Sequence, residues 1–124
     1  MSATTVEQSK RLIELGLNPD TADMIHPCLI AREEEIMYDA PVPRNSVLYA
    51  MHTSLEEKQK SILAWSFDRL LELMPAYCGI DKEKTEYVAS YVCSHEVLKW
   101  SASNPLEAIY NMTVWLLEHN YIKK

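Results

Sequence analysis

The sequence predicts an α+β fold, in which a small antiparallel sheet packs against an N-terminal helix, a middle helix and a buried C-terminal helix. Capping signals open helical patterns near both ends of the chain. Prolines separate short apolar runs in between. Residues 85–101 are rich in aromatic and β-branched side chains, which favours strands. The length of 124 residues suits a single domain, spanning residues 1–124.

The first helix is predicted over residues 5–15. Its apolar residues recur on one side, and Gly16 follows at the position where a helix commonly ends in a left-handed conformation. The spacing of a capping box occurs twice, at Thr5 with Gln8 and at Thr4 with Glu7.

Residues 24–51 have an irregular pattern. Residues 24–31 and 36–38 are predicted strands, the polar run 32–35 links them, and residues 47–51 form a third short apolar run. Pro27, Pro41 and Pro43 interrupt this region, and proline is confined to sheet edges or strand ends because it lacks an N–H group.

The segment from residue 55 to residue 74 is either one helix or two segments. Ser54 and Glu57 have capping-box spacing, so a helix is predicted to begin at Leu55. A break at Trp65 is favoured because Ser66 is a good N-cap for a second helix.

Residues 85–101 fit two periods. The side chains alternate as in a strand pair turning near residues 93–96, but several also align with helical spacing. Their β-branched and aromatic content favours the strand pair, although the turn contains no glycine.

The last helix is predicted from Pro105 to about residue 122, capped by Asn104. Its polar residues form one narrow stripe of Glu107, Asn111 and Glu118, and nearly all others are apolar. A helix that is polar along one thin edge packs between layers, so this helix is expected to organise the core.

Charge and cysteine usage restrict the class of protein. The net charge of −6 arises from 12 basic and 18 acidic residues, which disfavours binding to a phosphate backbone. An acidic surface can also mimic nucleic acid towards a basic partner. Three cysteines at no framework spacing fit a reducing compartment. Without a visible signal peptide or membrane span, we expect a soluble cytoplasmic protein.

Two short segments have the residue types of a zinc site. His26 and Cys28 lie two apart, as do Cys93 and His95, so each pair can share one face of a strand. Zinc sites usually space their ligands differently, and neither pair has a knuckle or a helical turn. We therefore predict no metal and no cofactor.

Other constellations are weak. A nucleophilic site requires a cysteine within reach of a histidine, and the sequence alone does not show such proximity. The candidates are Cys28, Cys78 and Cys93 with His26, His52, His95 and His119. The glutamate runs at residues 33–35 and 56–57 are typical of solvated faces. Tyr87, Tyr91 and Trp100 resemble a base-stacking set but have few lysines nearby, so they are interpreted as core or as a protein interface.

Three stretches of the chain have a distinctive order. They are Glu7-Gln8-Ser9-Lys10-Arg11-Leu12 with Thr21-Ala22-Asp23-Met24, Ala64-Trp65-Ser66 with Leu70-Leu71-Glu72-Leu73-Met74-Pro75, and Asn104-Pro105-Leu106-Glu107-Ala108 with Trp115-Leu116-Leu117-Glu118. In this order they resemble a family of small uncharacterised proteins from prophages and mobile elements of gut anaerobic bacteria. The resemblance covers about half of the chain and implies an α+β domain in a phage or mobile-element context, without an assigned activity or site.

These observations favour a non-enzymatic accessory protein of a phage or mobile element that acts through protein–protein contact. The expected partner is a protein, with no nucleic acid and no membrane. Two alternatives remain, a small enzyme with an unrecognised Cys/His site and an acidic inhibitor of a host nucleic-acid-binding protein.

Overall fold

The computed structural model describes residues 3–30 and 35–122 and confirms the α+β class. The described residues form α1 (Val6–Glu14), α2 (Val47–His52), α3 (Leu55–Lys60), α4 (Phe67–Leu73) and α5 (Pro105–Glu118), with a short 3-10 helix at Pro19–Thr21. Their strands are β1 (Met24–His26), β2 (Cys28–Ile30), β3 (Ile36–Tyr38), β4 (Val42–Pro43), β5 (Ile62–Ala64), β6 (Cys78–Glu83), β7 (Glu86–Cys93) and β8 (Glu96–Ala102).

The strands divide among three small antiparallel sheets rather than one. The sheets have the strand orders β4-β1-β5, β2-β3 and β6-β7-β8. Helix α5 packs across β7 and β8, α4 packs against α5, and α1 packs against β5. Among the described helices, none combines the length and the apolar composition of a membrane-spanning segment.

Helix α1 begins and ends where the sequence indicates. Thr5 and Gln8 form the capping box, whereas Thr4 is buried and directs its hydroxyl to Ser9 instead. At the other end Gly16 has a φ of 97°, and the N–H of Leu17 donates to the carbonyl of Leu12 at 3.0 Å. This bond belongs to the Schellman motif that terminates many helices.

Proline divides the predicted strand over residues 24–31. Pro27 separates β1 from β2, and these two strands belong to different sheets. Ala31 and residues 32–34 of the predicted link 32–35 lie outside the described residues. The apolar run at residues 47–51 lies in α2, and the Ser46 hydroxyl caps this helix by accepting from the N–H of Tyr49.

The predicted break between residues 55 and 74 is confirmed, with a strand inserted before it. Helix α3 ends at Lys60, and β5 then pairs with β1, placing Leu63 opposite Ile25. Ser66 caps α4 as predicted.

The strand interpretation of residues 85–101 is confirmed by β7 and β8. Ser94, with a φ of 54°, supplies the left-handed turn residue that the sequence did not reveal. Strand β6, which was not predicted, pairs with the other side of β7. Helix α5 ends at Glu118 rather than near residue 122, because Asn120 turns left-handed with a φ of 61°.

The core lies between α1, α4, α5 and the β6-β7-β8 sheet. Helix α5 contributes the largest buried set, namely Ala108, Ile109, Met112, Thr113, Leu116 and Leu117. Trp65, at 0% exposure, is the largest fully buried side chain. Trp115 is only partly buried and stacks on His119, with ring centroids 4.0 Å apart, and on Tyr121.

Candidate functional site

Six large apolar side chains are exposed on the described residues of the β2–β3 hairpin and on α2, and five of them remain when Ile36, on the other face of the hairpin, is set aside. We call this set, Leu29, Met37, Val47, Leu48 and Met51, the apolar surface. The three helical members are between 68% and 70% exposed, Met37 is 56% exposed and Leu29 is 44% exposed. Such exposure on adjacent elements differs from single apolar residues scattered over a surface, which are normal.

Helix α2 presents its side chains outward because none of its six residues is buried. A helix this short is marginal by itself. Two side chains hold its ends, since Ser46 caps the start and the Lys58 ammonium donates to the Ala50 carbonyl at 2.9 Å. These two hydrogen bonds therefore hold α2 in place, and its apolar side chains remain exposed.

The hairpin and α2 meet at a shared depression. Leu29 lies directly opposite Met37 in the β2–β3 pair, so their side chains share one face. Leu29 and Leu48 both line a depression of about 310 Å³, together with Val42 and Tyr49. The apolar surface is therefore continuous from β2 to α2.

Side chains from the α3 region close the outer side of β2. The N–H of Cys28 donates to the Ser61 hydroxyl, and the N–H of Ile30 donates to a Glu57 carboxylate oxygen, both at 3.0 Å. The Ile30 bond is the main reason that the pKa of Glu57 lies below its ordinary value, followed by hydrogen bonds from Ser54. Glu57 is thus a structural carboxylate.

The outer edge of β3 has no strand partner among the described residues. The N–H of Asp39 donates to the carbonyl of Pro27, which fixes the alternation of the ladder. By that alternation, the N–H and carbonyl groups of Ile36 and Tyr38 point away from β2. This edge presents backbone donors and acceptors in the pattern that a further strand recognises.

His26 anchors this region through both ring nitrogens. Pro27 has no N–H to donate to the Asp39 carbonyl, and His26 Nδ1 lies 3.1 Å from that oxygen. His26 Nε2 lies 2.7 Å from the Thr4 carbonyl oxygen. A neutral imidazole donates to one of these carbonyls, whereas the doubly protonated ring donates to both.

A cleft of about 560 Å³ lies between the start of α1 and the end of β3. Its polar lining includes Glu7, Lys10, His26 and Asp39. The Lys10 ammonium lies 5.8 Å from the centre of the Tyr38 ring. Both ring nitrogens of His26 lie within hydrogen-bond distance of backbone carbonyl oxygens, so this side chain positions the chain beside the cleft.

The structure does not assemble the two segments with the residue types of a zinc site. His26 and Cys28 lie around the β1–β2 junction, and Cys93 and His95 lie at the β7–β8 turn of another sheet. Within residues 3–30 and 35–122, no group of three or more His, Cys, Asp or Glu side chains is placed to hold a metal ion.

Two further candidates for a Cys–His pair, His119 and Cys93, contact other groups. His119 Nδ1 lies 2.9 Å from the Trp115 carbonyl oxygen, and the Cys93 thiol lies 3.6 Å from the Tyr121 hydroxyl. Burial raises the pKa of the Cys78 thiol to about 11, which makes it a poor nucleophile at neutral pH.

The remaining candidates are structural or solvated. Tyr87, Tyr91 and Trp100 lie under α5 as part of the core packing. Glu56 is exposed and pairs with Lys60 at 3.6 Å, whereas Glu33 and Glu34 lie outside the described residues. The sequence did not single out the apolar surface, although the absence of acidic, lysine and arginine residues from 47 to 52 was a usable signal.

Comparison of the chain with protein-family models, with curated proteins and with solved structures found no match. What the protein does is therefore inferred from its own surfaces.

Proposed function

We propose that this protein is a non-enzymatic binding protein that acts through protein–protein contact at the apolar surface. The observation that supports the proposal is the continuity of exposed apolar side chains from Leu29 and Met37 to Leu48 across the hairpin and α2. Contiguous exposed apolar surface rimmed by polar residues is typical of binding sites. The resemblance to prophage and mobile-element proteins supports an accessory role in that context.

The free energy of binding favours a partner that makes other interactions in addition to apolar contact. Covering side chains with this exposure contributes on the order of 1–2 kcal/mol each, or roughly 5–10 kcal/mol for five. Association costs about 4–15 kcal/mol in lost freedom of motion. The free energy gained from apolar contact at this surface is therefore comparable with the free energy lost on association. Further interactions are needed for a stable complex.

Charge favours a protein partner over a membrane or a nucleic acid. The net charge of −6 opposes approach to anionic lipids and to phosphate backbones. A partner protein with apolar residues and a basic rim is compatible with the same charge.

The proposal is tested by making the apolar surface polar. The double variant Leu48→Lys, Met51→Glu changes two exposed positions, so its urea midpoint should stay close to that of the wild type. The matched control is Val97→Lys, which changes a 55% exposed apolar residue on β8. Each protein is used to capture partners from an extract of cells that carry the gene.

The expected result is a protein captured by the wild type and by the Val97 variant but not by the double variant. That protein, once purified, should bind the wild type in calorimetry and bind the double variant at least about 100-fold more weakly, in line with the loss of two central apolar contacts. Identical capture by all three proteins would contradict the proposal.

A further inference from the structure

We propose that the outer edge of β3 binds an extended basic segment of a protein partner as an additional antiparallel strand. The inference rests on the proposed function, because the same partner would cover the adjacent apolar surface. It specifies the conformation and the charge of the segment that is recognised.

The backbone geometry of the hairpin supports strand addition. One edge of the two-stranded sheet is closed, because side chains near α3 accept the outward N–H groups of Cys28 and Ile30. The other edge presents the N–H and carbonyl groups of Ile36 and Tyr38. Peptides that add to such an edge gain affinity from main-chain hydrogen bonds. Tyr38, at one end of this edge, also lines the cleft beside α1.

The side chains along β3 specify the sequence of the added strand. Glu35 and Asp39 flank β3, each two residues from Met37. Continued strand alternation would place both carboxylates on the face of Met37, in the order acidic, apolar, acidic. Residues directly opposite each other in an antiparallel pair interact, and opposite charges stabilise the pair. The complementary strand therefore carries lysine or arginine, an apolar residue and lysine or arginine at alternate positions.

The same charges oppose pairing with a second copy of this chain. An antiparallel β3–β3 pair that uses both Ile36 and Tyr38 is centred on Met37. That register places Glu35 of each copy opposite Asp39 of the other, and like charges directly opposite are destabilising. The edge is thus suited to a basic partner strand rather than to its own copy.

The test uses the full chain and the fluorescent peptide Thr-Lys-Thr-Val-Thr-Lys-Thr, measured by anisotropy. A glutamate peptide, Thr-Glu-Thr-Val-Thr-Glu-Thr, is the charge control. In the paired register the two threonines beside the valine direct their N–H groups to β3, whereas the valine N–H points away. N-methylation of those two threonines and N-methylation of the valine alone therefore form a matched pair of backbone controls.

We expect saturable binding of the lysine peptide and at least about tenfold weaker binding of the glutamate peptide, as for the loss of one to two favourable contacts. Methylation of the two threonines should weaken binding by at least the same factor, and methylation of the valine should leave it nearly unchanged. Glu35→Lys should weaken binding of the lysine peptide.

Equal binding of the two methylated peptides, or no binding of the lysine peptide, would overturn strand addition. Dimerisation of the wild type in sedimentation that is lost on Ile36→Pro would also overturn it, because a second copy would then occupy the edge. Either result leaves the proposed function standing if the double variant at Leu48 and Met51 still loses its partner. Retained capture by that variant defeats the proposed function separately.

Discussion

Replacing Trp65 with alanine is expected to remove a large fraction of the stability of the fold. Trp65 is fully buried within the core, and its indole N–H donates to the Thr21 hydroxyl at 3.0 Å. Truncation of a buried aromatic costs about 3–5 kcal/mol. Loss of the hydrogen bond adds roughly 0.5–1.5 kcal/mol. The summed loss is a large fraction of the roughly 5–15 kcal/mol of unfolding free energy of a typical domain.

Trp115→Ala is the matched control, because it removes the same side chain from a partly exposed position. Trp115 stacks on His119 and Tyr121, and such aromatic pairs contribute about 0.5–1.5 kcal/mol each beyond their buried area. We therefore expect a smaller loss than for Trp65→Ala, because Trp115 is only partly buried. Urea unfolding followed by far-ultraviolet circular dichroism measures both. A Trp115 variant that is less stable than the Trp65 variant would refute the assignment of the core.

Three further predictions concern titration and charge. The lowered pKa of Glu57 means that its carboxylate stabilises the fold at neutral pH and that this contribution is lost as the pH falls through the folded-state pKa. The urea midpoints of the wild type and Glu57→Gln should therefore differ at pH 7 and converge as the pH falls through the folded-state pKa of Glu57, whereas a constant difference contradicts the prediction. With a pKa of about 11, Cys78 should react with iodoacetamide at pH 8 on the order of 100-fold more slowly in the folded protein than in urea, as followed by peptide mapping. Equal rates would show that the thiol is not buried. The net charge of −6 predicts no appreciable binding to duplex DNA in a gel shift at about 150 mM salt. Salt-sensitive micromolar binding would reveal a basic patch.

Helix boundaries were predictable where the signal is local. Thr5, Ser54, Ser66 and Asn104 each accept the expected backbone N–H three residues later. A cap depends on atoms within a few residues of each other, so the sequence contains most of the information that determines it. The last helix ends before the predicted residue 122 because Asn120 adopts the left-handed conformation. Asparagine tolerates this conformation, but its presence in a sequence does not predict it.

Two of the short strands, β4 and β5, were not predicted, for the opposite reason. Strand β5 has three residues, which are too few to display a period. It forms because Leu63 pairs with Ile25, nearly forty residues away in the sequence. The apolar run at residues 47–51, which lies in α2, was also too short to display a period. The exposure of α2 depends on which other elements pack against it, and a local sequence pattern does not contain that information.

The candidate site was only partly visible in the sequence. The spacing of the histidine and cysteine pairs made His26 a candidate metal ligand. In the structure, both of its ring nitrogens lie within hydrogen-bond distance of backbone carbonyl oxygens. Exposed apolar residues were not distinguished from core residues, because hydrophobicity alone does not reveal burial. The distinction between Met37 at 56% exposure and Met24 at 2% exposure appears only after folding.

Pro27 connects the sequence, the fold and the proposed binding edge. Because it cannot donate a hydrogen bond, it stands between two strands that join different sheets. The Asp39 carbonyl that it leaves without a strand donor is engaged by His26, which ties the hairpin to the segment before α1. The β2–β3 hairpin is thereby held against the body of the protein without extending the sheet of β1. A separate two-stranded sheet retains an outer edge, and at β3 that edge lies beside the apolar surface.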